Sequence, residues 1–199
     1  MVTVVGICGV IGSGKSLVRR IFEVLYELPT YDCDAKAKEL YYHPTVRREI
    51  EQAFGEDPID SDGRLRRDFL TSLLVQDTDR YRLEEINHRA LFEDFEVWRK
   101  SQEVRSEVVV AESAILFSSG FYRVCDHTIM IEASETVRRE RVKHRDRDKG
   151  EGFFEKISAL QREEERLQRE GADFKIDNDG DTALVPQVEY IFKQLTSNT

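Results

Sequence analysis

The sequence predicts an α/β fold: a five-stranded parallel sheet covered by helices on both faces, with a helical lobe inserted between its strands. Three observations carry that prediction. A short β-branched apolar run, "VTVVGI", leads into a glycine-rich stretch and then into a helical pattern. Later short apolar runs alternate with amphipathic segments. Between them, residues 35–105 carry helical periodicity without a convincing strand.

"VTVVGI" suits a central parallel strand, buried on both faces. "KSLVRRIFEVLYEL" repeats apolar residues at Leu17, Val18, Ile21, Leu25 and Leu28, so a helix follows. Pro29 breaks it, and "TYDCD" reads as a short second strand ending on Asp32 and Asp34. Strand, glycine turn, helix and strand make a βαβ unit, which is almost always right-handed. "AKAKELYY", "PTVRREIEQAF" (with Pro44 in its first turn), "LRRDFLTSLLV" and the long "YRLEEINHRALFEDFEVWRKSQ" are the four helices of the lobe. Strands resume at Glu107–Ser113 and His127–Glu132. Ser134 is placed to cap the helix "ETVRRERVKHR". "GFFEKISALQREEERLQREG" is amphipathic, "ADFKIDNDG" is a last strand into a turn, and "ALVPQVEYIFKQL" is a closing helix.

The 199 residues, 40% of them hydrophobic, allow one buried core plus an accessory lobe. A net charge of −9 argues against non-specific binding to nucleic acid or to anionic membranes. An anionic ligand would therefore need a local basic patch. Three cysteines at long spacings suggest neither a disulfide framework nor a zinc site, which points to the cytoplasm. The first residues lack a basic n-region and read as a buried strand rather than a signal peptide. No stretch approaches the length of an apolar membrane span.

The stretch Gly9–Ser16 has the spacing Gly, four residues, Gly-Lys-Ser, which is a phosphate-binding Walker A loop. Its glycines let consecutive N–H groups turn inward, and the following helix adds its positive end. Gly9, Gly12, Ser13, Gly14, Lys15, Ser16 and Leu17 are the candidate nucleotide contacts, with Lys15 on the β- and γ-phosphates and Ser16 on Mg²⁺. The strand–loop–helix setting weighs against a mere glycine turn with a stray lysine. Asp32 and Asp34 close the second strand, and alternation puts both on one side of it. In open parallel sheets ligands bind off the carboxyl ends of the strands. A carboxylate there can orient an alcohol and take its proton, and Asp32 can also serve a metal. The plainer reading is that Asp34 caps the next helix. Glu112, ending the third strand, can hold a Mg²⁺-bound water, or it can be a solvated strand end. The tract 138–149 is rich in Arg and Lys, and Arg141 and Arg145 share a helical face. They are placed to close over a polyphosphate, against the alternative of a salt-bridged solvated face. His88, alone on the long helix, is ambiguous from its residue type.

In order along the chain, "GICGVIGSGKS", "YDCDAKAKEL", "INHRALFEDF", "AESAILFSSGF", "RVKHRD" with "ISALQ", and "ADFKIDNDG" resemble the dephospho-CoA kinase family. The resemblance runs along nearly the whole chain. It implies a P-loop, nucleoside-kinase-like core formed by residues 1–39, 106–137 and 172–199. It further implies a lobe at 40–105 that holds the CoA precursor, and a lid at 138–171. The implied reaction moves the γ-phosphate of ATP, with Mg²⁺, to the 3′-hydroxyl of dephospho-CoA. Asp34 would be the base, Arg141 and Arg145 would close from the lid, and Asn178 and Gly180 match a turn near the adenine. Asp32 and His88 fall in substrate-binding segments, and a monomer is expected. The chain departs from the family pattern at Arg89, Ala114, Ser118 and Lys156. A shikimate-kinase-like enzyme is the nearest alternative, but "AESAILFSSG" lacks the Gly-Gly it needs. A GTPase switch would need Asn-Lys-x-Asp, which is absent. Lys15, Ser16 and Asp34 together argue against an inert scaffold.

Overall fold

The computed structural model describes residues 2–197. In chain order its elements are β1 (Thr3–Cys8), α1 (Lys15–Tyr26), β2 (Thr30–Asp32), α2 (Cys33–Leu40), α3 (Pro44–Phe54), α4 (Arg67–Leu73) and α5 (Asp77–Gln102). Then come β3 (Val108–Glu112), β4 (His127–Glu132), α6 (Glu135–Arg145), α7 (Phe153–Leu160), α8 (Arg162–Gly171), β5 (Phe174–Asp177) and α9 (Leu184–Ser197). They form two compact units, Met1–Tyr31 with Gln102–Thr199, and Asp32–Ser101.

The first unit is built on the expected five-stranded parallel sheet, in the order β2-β3-β1-β4-β5. β1 lies at its centre, parallel to β3 on one side and β4 on the other. That position explains its continuous apolar run, since helices cover both faces of such a strand. Val5, Ile7, Val110, Ile129 and Ile131 are fully buried. On one face they meet Val18 and Phe22 of α1 and Val188, Ile191 and Leu195 of α9. Each such side chain taken out of water contributes roughly 1.5–3 kcal/mol before entropy is counted. The buried stripe of α1 is Val18, Ile21 and Phe22, spaced three and four apart. Leu17 and Leu25, which look equally apolar in sequence, stand half exposed. Burial pushes the Cys125 thiol up to about 12 and moves Cys8 in the same direction.

The second unit contains α2 to α5, the four helices expected from the sequence. Pro44 opens α3, and Gly55 closes it with φ 79°. α5 buries Leu83, Ile86, Leu91 and Phe95, and Asn87 Nδ2 donates to Ala37 O of α2 at 3.0 Å. Arg47 holds Asp57 through two hydrogen bonds, which fixes the turn before α4.

One local expectation is corrected. β2 ends at Asp32, and Asp34 lies in the first turn of α2, so the two carboxylates do not share one side of a strand. The cause is capping: Asp32 Oδ1 accepts from Ala35 N at 2.9 Å and starts the helix at Cys33. Asp32, not Asp34, is the cap. The amphipathic segment 153–171 forms two helices, divided at Gln161, whose φ of −90° and ψ of 3° break the helical run.

Candidate active site

β1 delivers the chain into the loop Gly9–Ser16, and α1 begins at Lys15 with Gly14 as its N-cap. Gly12 and Gly14 adopt φ of 79° and 96°, a region that L side chains disfavour. A Cβ on Gly12 would lie 2.6 Å from Arg138 O and 2.9 Å from Arg138 Cα. One on Gly14 would collide with the Asn178 amide. The loop is thus shaped by its own glycines and by close backbone neighbours. Ser13 Oγ is buried and has no hydrogen-bond partner among the described residues. Lys15 makes no ion pair among the described residues. An unsatisfied buried hydroxyl, an uncommitted ammonium and a helix N-terminus together fit a polyphosphate.

Glu112 ends β3 beside β1, paired in register with Ile7. It is 4% exposed. Its Oε1 accepts from Ser16 Oγ and its Oε2 from Arg19 Nε, both at 2.7 Å. Arg19 Nη1 also donates to Thr30 Oγ1 at 3.0 Å. The carboxylate is therefore a paired, buried group directly behind the Ser16 hydroxyl, not a solvated strand end. A Mg²⁺ ion carried in by phosphates could take the hydroxyl directly and the carboxylate through water. The described residues hold no group of three or more His, Cys, Asp or Glu suited to a metal.

The other wall comes from α6 and the turn after β5. Asn178 Nδ2 donates to Ser13 O at 2.7 Å, and its own N–H donates to Glu132 O at 2.8 Å. Arg141 Nη2 donates to Asn178 O at 2.7 Å, while Nη1 lies 3.4 Å from both Gly12 O and Ser13 O. Asp179 accepts from Ser134 N at 2.5 Å, which holds its carboxyl below the usual carboxylate range. Ser134 is the N-cap residue, but the capping carboxylate for α6 comes from Asp179. Arg145 differs from Arg141. Its side chain is 63% exposed and pairs with the neighbouring Asp146 at 2.7 Å.

The dephospho-CoA kinase family model matches residues 3–183. The chain belongs to the dephospho-CoA kinase family. It is 40% identical over 197 residues to a dephospho-CoA kinase of Porphyromonas gingivalis, covering 97% of this chain and 94% of that one. It is 32% identical to one from Aquifex aeolicus, covering 96% and 97%. The dephospho-CoA kinase structure from Campylobacter jejuni superposes with a TM-score of 0.68 at 17% identity, over 100% and 99% of the chains. A shikimate kinase from Acinetobacter baumannii superposes at 0.55 and 16% identity, covering 100% and 96%. At those identities the two structures show a common fold.

Within this dephospho-CoA kinase fold, the first unit brings together Lys15, Ser16, Glu112, Asn178 and Arg141. Leu17 and Gly180 lie exposed nearby in sequence, without a side-chain role in these contacts. Asp32, Asp34 and His88 belong to the second unit. His88 is partly buried, and burial lowers its pKa, which favours the neutral ring. Arg89, where the family has proline, makes an ion pair with Glu49.

Four residues of the first unit escaped sequence reasoning. Arg19 neutralises Glu112. Arg138, 5% exposed, packs its backbone against Gly12. Gln161 Oε1 accepts from Ile11 N at 2.7 Å. Glu164 accepts from Phe117 N at 3.0 Å and Ser118 N at 2.8 Å, holding the turn after β3. "QREEERLQRE" reads as a solvated face, yet Glu164 and Gln168, one turn apart, are both buried. The signal was their spacing, masked by their polarity.

The two arginines should respond differently to truncation. Arg141→Ala removes a charged hydrogen bond to Asn178 O and frees the loop carbonyls. It should lower thermal stability by about 1.5–3 kcal/mol and weaken ATP binding with it. Arg145→Ala should leave the melting temperature within about 1 °C while slowing turnover, because an exposed pair contributes little to folding. Thermal melts beside steady-state kinetics decide this, and equal melting losses in both variants would refute it.

Proposed function

We propose that the chain transfers the γ-phosphate of ATP to the 3′-hydroxyl of dephospho-CoA, giving CoA and ADP. The observation that carries this reading is the Ser16–Glu112 hydrogen bond at the mouth of a complete Walker loop, in a chain of this family. Lys15, Ser13 and the loop amides would hold the phosphates. Mg²⁺, when bound, would neutralise charge on the β- and γ-phosphate oxygens. Ser16, Glu112 and Asp32 are its candidate ligands, with Asp32 limited by the cap hydrogen bond that one oxygen already accepts.

Asp34 is the proposed base. The chain runs from the carboxyl end of β2 straight into it, and sheets of this kind bind ligands at that edge. The helical segment 40–105 is proposed to hold the CoA precursor, with His88 among its contacts. Residues 138–171 are proposed as a lid, from which Arg145 would reach the transferring group. Asn178 and Gly180 are proposed to lie near the adenine, and Asn178 also pins Ser13 through its side-chain amide. No helix of the described residues is long and apolar enough to cross a membrane. A monomer working in the cytoplasm is part of the proposal.

The test is direct. The pure protein with ATP, Mg²⁺ and dephospho-CoA should yield CoA and ADP, while shikimate and adenosine should turn over far more slowly. No product above background at micromolar enzyme would end the proposal.

A further inference from the structure

One residue of the phosphate loop is held from outside by both of the helical segments that follow α6. The Ile11 side chain packs with Val142 of α6 and Phe154 of α7, flanked by Phe153 and Ile157. Its backbone N–H donates to Gln161 Oε1 at 2.7 Å. Gln161 is the one residue between the end of α7 and the start of α8. A shift of α7 relative to α8 must therefore pass through the residue that holds the loop.

α8 itself is anchored. Glu164 takes two backbone N–H groups of the turn after β3, and Gln168 Nε2 donates to Ala114 O at 3.1 Å. Behind Ile11 stands Gly12, pressed against the Arg138 backbone with no room for a Cβ. The loop has few ways to relax at this point.

We propose that Gln161 is a positioning residue that sets the Ile11–Gly12 turn for phosphate binding and makes that setting depend on where α7 lies. The choice of side chain has a physical reason. A neutral amide oxygen accepts the N–H without placing a negative charge beside a loop that gathers phosphates. The proposal rests on the kinase reading for its catalytic consequence, but loop shape and nucleotide binding test it without an acceptor substrate.

Gln161→Met keeps the length and removes the acceptor. Gln168→Met loosens α8 at its other attachment, without touching the loop. In Gln161→Met, protection of the Ile11 amide against hydrogen exchange should fall about tenfold, and the ATP dissociation constant should rise about tenfold. The KM for the acceptor should stay near wild type. Gln168→Met should lose comparable thermal stability with ATP affinity unchanged. Unchanged ATP affinity in Gln161→Met would overturn the proposal, as would weakening in both variants in step with their melting temperatures. Should Gln161→Met fail to fold, Gln161→Glu keeps the acceptor and should preserve Ile11 protection while weakening ATP through its charge; loss of that protection would likewise overturn it. If wild type makes no CoA, the kinase reading fails, and the ATP-binding comparison still decides the role of Gln161.

Discussion

Asp34→Asn should lower kcat by about 10²-fold or more while the ATP dissociation constant stays within about twofold of wild type. Asparagine keeps the shape of the side chain but loses the negative charge and with it the ability to take a proton. The helix should survive the change, because the cap hydrogen bond is made by Asp32 to Ala35 N. Asp34 is one residue into α2, so its carboxylate stands at the positive end of that helix. Binding of ATP draws on the loop Gly9–Ser16 and should be blind to the substitution. The measurement is single-turnover CoA formation beside equilibrium ATP binding. A wild-type rate in the variant removes Asp34 from proton transfer; a collapse of ATP binding makes its role structural.

Gly12→Ala should abolish measurable ATP binding and lower stability by about 2–5 kcal/mol. About 1–2 of that is the cost of a left-handed backbone for alanine. The remainder is overpacking, typically 1–3 kcal/mol, against a backbone carbonyl 2.6 Å from the new Cβ. A carbonyl on the first turns of α6 cannot swing aside as a side chain could. Gly55 provides the control, since it has the same φ of 79° and nothing within 4 Å of a Cβ. Gly55→Ala should therefore show the backbone cost alone, with nucleotide binding intact. Differential scanning calorimetry and nucleotide titration on the two variants separate the contributions. Equal losses would show that crowding at Gly12 has no effect of its own.

The phosphate loop was legible because its glycine spacing is a covalent requirement of the turn it must make. The strand sequence was legible because a doubly covered sheet demands unbroken apolar runs, as in "VTVVGI" and "EVVVAES". What stayed hidden were contacts across long sequence separations. Arg19 meets Glu112 from 93 residues away, and Glu164 meets Phe117 from 47. Nothing in a local window reports such pairs. The break at Gln161 was hidden for a different reason: neither Gly nor Pro marks it. Asp32 does end β2, but Asp34 was misplaced by one element because a cap carboxylate and a strand-end carboxylate look alike until the Ala35 N–H is located. Arg141 was recognised as part of a basic face, but its role as a brace for loop carbonyls depends on Asn178, 37 residues downstream.

The hydrogen bond from Ser16 to Glu112 has a consequence for metal choice. A hydroxyl that gives its proton to a carboxylate turns both lone pairs the other way and gains electron density on oxygen. It thereby becomes a harder, better-oriented donor before any cation arrives. Arg19 donates to the second carboxylate oxygen and holds that acceptor in place. With Mg²⁺ as the proposed ion, the loop would favour small oxygen-seeking cations over softer ones that prefer nitrogen or sulfur, a discrimination held in the direction of a single proton.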